Sequence, residues 1–129
     1  MIKILVESPF KSKNGNEEEE EHNVKYARAA MKDCFKRGEA PFASHLLYTQ
    51  EGILDDSVPE ERKLGIEAGL LWGAEAQKTM VYADLGLSSG MKKGIKRAKD
   101  EGRPVYYCYL GAPWSDCMPG IWSNMGRWM

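Results

Sequence analysis

Four short apolar runs, separated by three stretches of helical period, constrain the fold of this chain more tightly than any other feature. Ile2 to Val6, Ala40 to Ala43, Thr79 to Ala83 and Val105 to Leu110 have the length and the aliphatic or β-branched character of buried strands. Between the first two, Val24, Ala27, Met31, Cys34 and Phe35 recur at helical spacing from Asn23. Gly38 follows Lys36-Arg37 as a stop, which predicts a helix over about 23 to 37. Pro41 places the second strand at a sheet edge, because proline cannot donate to a ladder. Ser57 followed by Glu60 resembles a capping box and Pro59 suits a first turn, so a second helix is expected to run to about Ala76. Its apolar positions Leu64, Ala68, Leu71 and Trp72 share one face. The third strand ends at Asp84, and Leu85-Gly86-Leu87-Ser88-Ser89-Gly90 leads into a further helix with Met91, Ile95 and Ala98 inward, stopped at Gly102-Arg103-Pro104.

Strands alternating with helices imply parallel pairing through right-handed crossovers. The expected fold is α/β: a small doubly wound, Rossmann-like or flavodoxin-like parallel sheet of four to five strands with helices on both faces. With the first strand central the order is 2-1-3-4. The topological switch point then falls between strands one and three, where open α/β sheets bind ligands beyond the strand carboxyl ends. Glu7 to Phe10 and Asp84 to Met91 meet there. A length of 129 residues with 43% apolar and 29% charged residues suits one compact domain that needs neither disulfides nor a structural metal. That domain is placed at 1–111. The tail, 112–129, is rich in Trp114, Trp122, Trp128, Met118 and Met125 and is expected to pack or to lie at an oligomer contact.

Charge and composition disfavour several function classes. A net charge of −1 and a pI of about 6.1 speak against nucleic acid as a partner. No run approaches the ~20 apolar residues of a membrane span, and Met1 to Glu7 is too short and too soon charged for a signal peptide, so no membrane partner and a cytoplasmic location are expected. Cys34, Cys108 and Cys117 lack C-x-x-C spacing and the histidines are His22 and His45, so neither a metal nor another cofactor is expected. Glu17 to Glu21 beside Lys11-Ser12-Lys13-Asn14-Gly15-Asn16 reads as a solvated loop, and Lys92, Lys93, Lys96, Arg97, Lys99 and Arg103 crowd one later segment.

The residues able to carry chemistry gather at the expected switch point. Ser88-Ser89-Gly90 leads from a strand into the basic helix, where backbone N–H groups, hydroxyls and the helix dipole converge as an anion or phosphate cradle. Such turns also cap helices without a ligand, and the spacing is neither a Walker A loop nor G-x-G-x-x-G. Glu7 and Asp84 end neighbouring strands and are the candidate catalytic carboxylates, with solvated strand-end acids as the plain alternative. His45 follows strand two as a candidate ligand contact or a hydrogen-bonded structural group, and Tyr26 is a candidate stacking surface or a packing aromatic. No Ser/His/Asp or Cys/His context supports a nucleophilic triad.

Ser8-Pro9-Phe10 after the first strand, Gly38-Glu39-Ala40-Pro41-Phe42-Ala43-Ser44-His45-Leu46-Leu47-Tyr48, Pro59-Glu60-Glu61-Arg62, Ser88-Ser89-Gly90-Met91 and Gly102-Arg103-Pro104-Val105 together resemble the nucleoside 2-deoxyribosyltransferase-like superfamily. The resemblance covers about 2 to 110 and is closest to a branch found in phages and bacteria. It implies a nucleotide-like small molecule with its 5′-phosphate on Ser88-Ser89-Gly90; Ser8, Pro9, Phe10 and Met91 at the expected switch point, with Tyr26 and His45, are the further candidate ligand-binding residues. It also implies a homo-oligomer, a dimer or higher. Members of the superfamily cleave or transfer an N-glycosidic bond through a glutamate in the pattern S-x-G-x-x-x-E, and counted from Ser88 that position is Gly94. Three readings follow: a protein that binds, and thereby sequesters or senses, a nucleotide; a hydrolase of nucleoside 5′-monophosphates using Glu7 or Asp84; and a non-catalytic oligomeric interaction protein.

Overall fold

The computed structural model describes residues 1–12 and 15–111. The tail at 112–129, with its expected packing or oligomer contact, and Cys117 lie outside the described residues. The elements are β1 (Lys3–Glu7), α1 (Glu17–Lys36), β2 (Ala40–Phe42), α2 (Ser44–Tyr48), α3 (Pro59–Gly73), β3 (Lys78–Tyr82), α4 (Ser89–Asp100) and β4 (Val105–Cys108). The four strands form one parallel sheet in the order β2-β1-β3-β4. Leu5 lies opposite Phe42 on one side and Thr79 on the other, and Glu7 lies opposite Val81. The expected α/β class and strand order are those observed.

Strand alternation sends side chains to two cores. Ile4, Val6, Met80 and Tyr82 pack with Tyr26, Ala30 and Cys34 of α1 on one face. Val81, on the opposite face, packs with Met91 and Ile95 of α4, against Val105. The first core carries a buried polar tie: the Tyr82 hydroxyl donates to Asp33 Oδ2 at 2.8 Å and accepts from Arg37 at 2.9 Å. No helix among the described residues is long and apolar enough to cross a membrane.

Four local expectations are corrected. The acidic run is not a loop but the first turns of α1, because the Asn16 side chain accepts from the N–H of Glu18 (2.8 Å) and Glu19 (3.3 Å). Glutamates at that end also complement the positive pole of the helix dipole. Ser57 does not cap α3; its N–H and hydroxyl both bond Asp55 Oδ1, at 2.9 and 2.6 Å, leaving Val58 as the N-cap, and the helix ends at Gly73 and not at Ala76. The segment after β2 forms the extra short helix α2.

The fourth correction concerns which face of α3 is buried. Leu64, Leu71 and Trp72 are 56%, 72% and 62% exposed. The helix instead faces inward with glycines one turn apart: a Cβ at Gly69 would lie 2.6 Å from Ser44 Cβ, and one at Gly73 would lie 2.7 Å from Leu5 Cδ2. Backbone approach, not side-chain burial, sets this contact. A helix that docks through absent side chains has no apolar stripe to betray its inner face.

Candidate functional site

The chain leaves β1 for β2 on one side and β3 lies on the other, which puts the topological switch point of the sheet at the carboxyl ends of β1 and β3. Glu7, the last residue of β1, shares a sheet face with Leu5 and meets α4 directly: a Cβ built on Gly94 would lie 2.0 Å from Glu7 Oε2 and 2.5 Å from Cδ. No hydrogen bond or ion pair satisfies this carboxyl among the described residues. It is half-buried against the helix backbone, and burial pushes its pKa up to about 8 against the opposing charge of Arg103. At neutral pH the group is chiefly the neutral acid, a hydrogen-bond donor.

Ser88 is the N-cap of α4. Its hydroxyl accepts from Met91 N–H at 3.2 Å while Met91 Sδ accepts from Ser88 N–H at 3.4 Å, so the fully buried Met91 closes the cap from inside and faces no ligand. The N–H groups of Ser89 and Gly90, at the first helical positions, have no acceptor within the helix, and both residues are exposed. Gly90 and Gly94 are one turn apart, about 6 Å along the axis. The open helix end and the Glu7 carboxyl therefore lie within the span of a sugar phosphate.

The remaining candidates serve as supports. Asp84 is engaged on both oxygens: Oδ1 accepts from the Tyr26 hydroxyl (2.5 Å) and Leu110 N–H (2.8 Å), and Oδ2 from Gly111 N–H (3.0 Å). Partial burial works to raise its pKa, but these donors together hold the carboxyl below the usual range. Tyr26 is 0% exposed and its hydroxyl also accepts from Asp84 N–H at 2.8 Å, so it faces the core and offers no stacking surface. This corrects its expected ligand role. Asp84 therefore ties α1, β3 and the chain beyond β4 together, and Glu7 alone of the two carboxylates is free.

Ser8 Oγ and His45 Nε2 share a hydrogen bond at 3.1 Å, and Phe10 meets the His45 ring edge-on at 5.4 Å. Burial lowers the His45 pKa to about 4, so the imidazole is neutral and links α2 to the loop after β1. Ser8 and the adjoining Pro9 are buried. An open cavity of about 810 Å³ beside this loop is lined by Phe10, Lys11, Glu20, Asp55 and Glu61 among others, an acidic wall unsuited to a phosphate. No group of three or more histidine, cysteine or carboxylate residues able to hold a metal occurs among the described residues.

Sequence reasoning missed Arg103. Read as part of a helix stop and of the basic segment, it is in fact buried, donates from Nε to Thr79 Oγ1 at 2.9 Å and pairs with Glu101 at 2.7 Å. It is the charge that acts on Glu7.

These features define a doubly wound α/β domain with a candidate site at its switch point. The solved structure of a 2-deoxyribosyltransferase from the psychrotolerant bacterium Bacillus psychrosaccharolyticus is similar at a TM-score of 0.58. Identity is 22%, over 85% of this chain and 74% of that chain, a likeness of fold. Residues 2–108 match the family described as Domain of unknown function (DUF7768), and the chain belongs to that family. No curated protein matches the chain.

Proposed function

We propose that this protein binds a nucleotide or nucleotide-derived small molecule, its phosphate on Ser88-Ser89-Gly90 and its sugar end toward Glu7, and that it sequesters or senses that molecule. The observation that carries the reading is the unsatisfied Glu7 carboxyl one helical turn from an open helix N-terminus. A free N–H pair and the helix dipole take an anion, and the exposed Lys92 and Lys93 reinforce the field. A half-buried carboxyl with no protein partner beside an open helix end is placed to be satisfied by a ligand. The similar solved protein is a 2-deoxyribosyltransferase described as a biocatalyst for the synthesis of nucleosides, which fits this ligand class.

The freedom of Glu7 also favours a second reading, hydrolysis of the N-glycosidic bond of a nucleoside 5′-monophosphate. A carboxyl of pKa about 8 can protonate a departing base at neutral pH, and its ionised form can activate water. We further propose self-association, as a dimer or higher, through the outer face of α3, where Leu64, Leu71 and Trp72 are exposed.

Ser89→Asp tests the binding reading. A carboxylate in the first turn suits the helix dipole, so stability holds or rises slightly, while repulsion of a bound phosphate weakens nucleotide affinity by about tenfold or more. Unchanged nucleotide titrations would overturn the phosphate assignment.

A further inference from the structure

Gly94 stands where α4 presses on the end of β1, and the three atoms nearest to where its Cβ would be all belong to the carboxyl of Glu7. All three of its carboxyl atoms lie within 3 Å of where a Cβ would be: Oε2 at 2.0 Å, Cδ at 2.5 Å and Oε1 at 2.9 Å. The φ of Gly94 is not in the left-handed region, so the backbone does not require glycine there. Glycine in the middle of a helix is less favourable than alanine, because it loses more backbone freedom on folding. What it supplies here is room.

We propose that Gly94 is a positioning residue: the missing side chain opens a seat on α4 in which β1 presents the Glu7 carboxyl to the sugar end of a nucleotide-like ligand. The site thus takes its carboxyl from a strand and not from the helix that carries the phosphate cradle. This rests on the nucleotide reading above for the identity of the ligand, but not for the seat itself. The contact is with the far end of a flexible side chain, so a methyl group at position 94 displaces the carboxyl and leaves the helix in place. The charged group that acts on the seat is Arg103, before β4, held by Thr79 of β3 and by Glu101 beyond α4. Seated, the carboxyl is kept neutral by burial; displaced toward water, it returns toward ordinary behaviour.

Two measurements on Gly94→Ala, Glu7→Ala and the double variant test this. In the first, the Glu7 carboxyl is titrated by ¹³C NMR, and Gly94→Ala is expected to move its midpoint from about 8 down toward the ordinary ~4.3 of a free glutamate. An unmoved midpoint overturns the seat whatever the ligand is. In the second, thermal shift is followed against an equimolar mixture of ribo- and 2′-deoxyribonucleoside 5′-monophosphates. Gly94→Ala and Glu7→Ala are each expected to raise the concentration needed by about tenfold, the effect of one lost hydrogen bond to a polar group, and the double variant to be no worse than either. A wild-type shift that Gly94→Ala leaves unchanged, or an effect of Gly94→Ala that persists without Glu7, overturns the proposal and leaves the nucleotide reading standing. No wild-type shift at all removes the nucleotide reading and the sugar contact with it. Should Gly94→Ala alone fail to fold, recovery of folding in the double variant supports the seat and continued failure overturns it.

Discussion

Glu7→Gln should make this protein more stable, and the size of the gain should depend on pH. The Glu7 carboxyl has a pKa near 4.5 in the unfolded chain and about 8 in the folded one. Below pH 4.5 both states hold the proton and the carboxyl contributes no pH-dependent term. Above it the unfolded chain ionises freely while the folded chain must keep the proton or bury a charge, so stability falls by about 1.4 kcal/mol per pH unit until the folded group also ionises. The loss reaches on the order of 3 kcal/mol at pH 7 and levels off on the order of 5 kcal/mol above pH 8. Glutamine is isosteric, neutral throughout and equally unsatisfied in the seat, so it removes that loss and little else. Urea unfolding of the two proteins at pH 4, 5.5, 7 and 8.5 should show nearly equal stabilities at pH 4 and a widening gap in favour of Glu7→Gln as pH rises. A gap independent of pH, or a variant less stable at every pH, would refute the reasoning. A side chain retained against such a gain is the signature of function held at the expense of stability.

Two further outcomes follow from the remaining contacts, alongside that stated for Ser89→Asp. Asp84→Ala removes the carboxylate that accepts from the Tyr26 hydroxyl and from the N–H groups of Leu110 and Gly111, and should destabilise by about 2–3 kcal/mol in urea unfolding. Because that carboxyl is held below the usual range, its contribution stands at pH values above the ordinary carboxylate pKa and is lost as acidification passes the lowered folded value. Trp72→Glu places a charge on the exposed face of α3 and should convert the self-associated form to monomer by light scattering, with little change in unfolding free energy of the isolated chain. An unchanged mass would show that this face is not the contact.

Much of the fold was legible because it depends on patterns that side chains announce. Ile2–Val6 and Thr79–Ala83 are apolar runs of strand length, Pro41 marks an edge, and alternation with helices leaves few sheet orders open. The capping role of Ser88 was equally plain, since a serine before an amphipathic segment has a short list of uses. What escaped was carried by small residues or by partners distant in sequence. Gly65, Gly69 and Gly73 dock α3 through space they leave empty, so the apolar residues Leu64, Leu71 and Trp72 suggested the opposite face. Tyr26 and Asp84 are 58 residues apart, and nothing local shows that each satisfies the other. Gly94 was legible as a missing side chain, but that Glu7 occupies its place depends on how closely α4 approaches β1. The acidic run misled because five glutamates suggest solvation, whereas a single asparagine before them starts a helix.

The central claim is that the switch point holds a nucleotide-like molecule. Its most direct test is a thermal-shift screen of the purified protein against nucleosides, nucleoside mono-, di- and triphosphates, nicotinamide dinucleotide, ADP-ribose forms and cyclic dinucleotides, with each hit recovered and chromatographed. A ligand at a hundred times its Kd should add about 2.7 kcal/mol and raise Tm by several degrees. A phosphate-bearing hit is expected, recovered intact if the protein sequesters or senses it and as free base with sugar phosphate if Glu7 drives hydrolysis. A flat screen across the whole panel would contradict the account and leave the outer face of α3, and with it an interaction protein, as the better explanation.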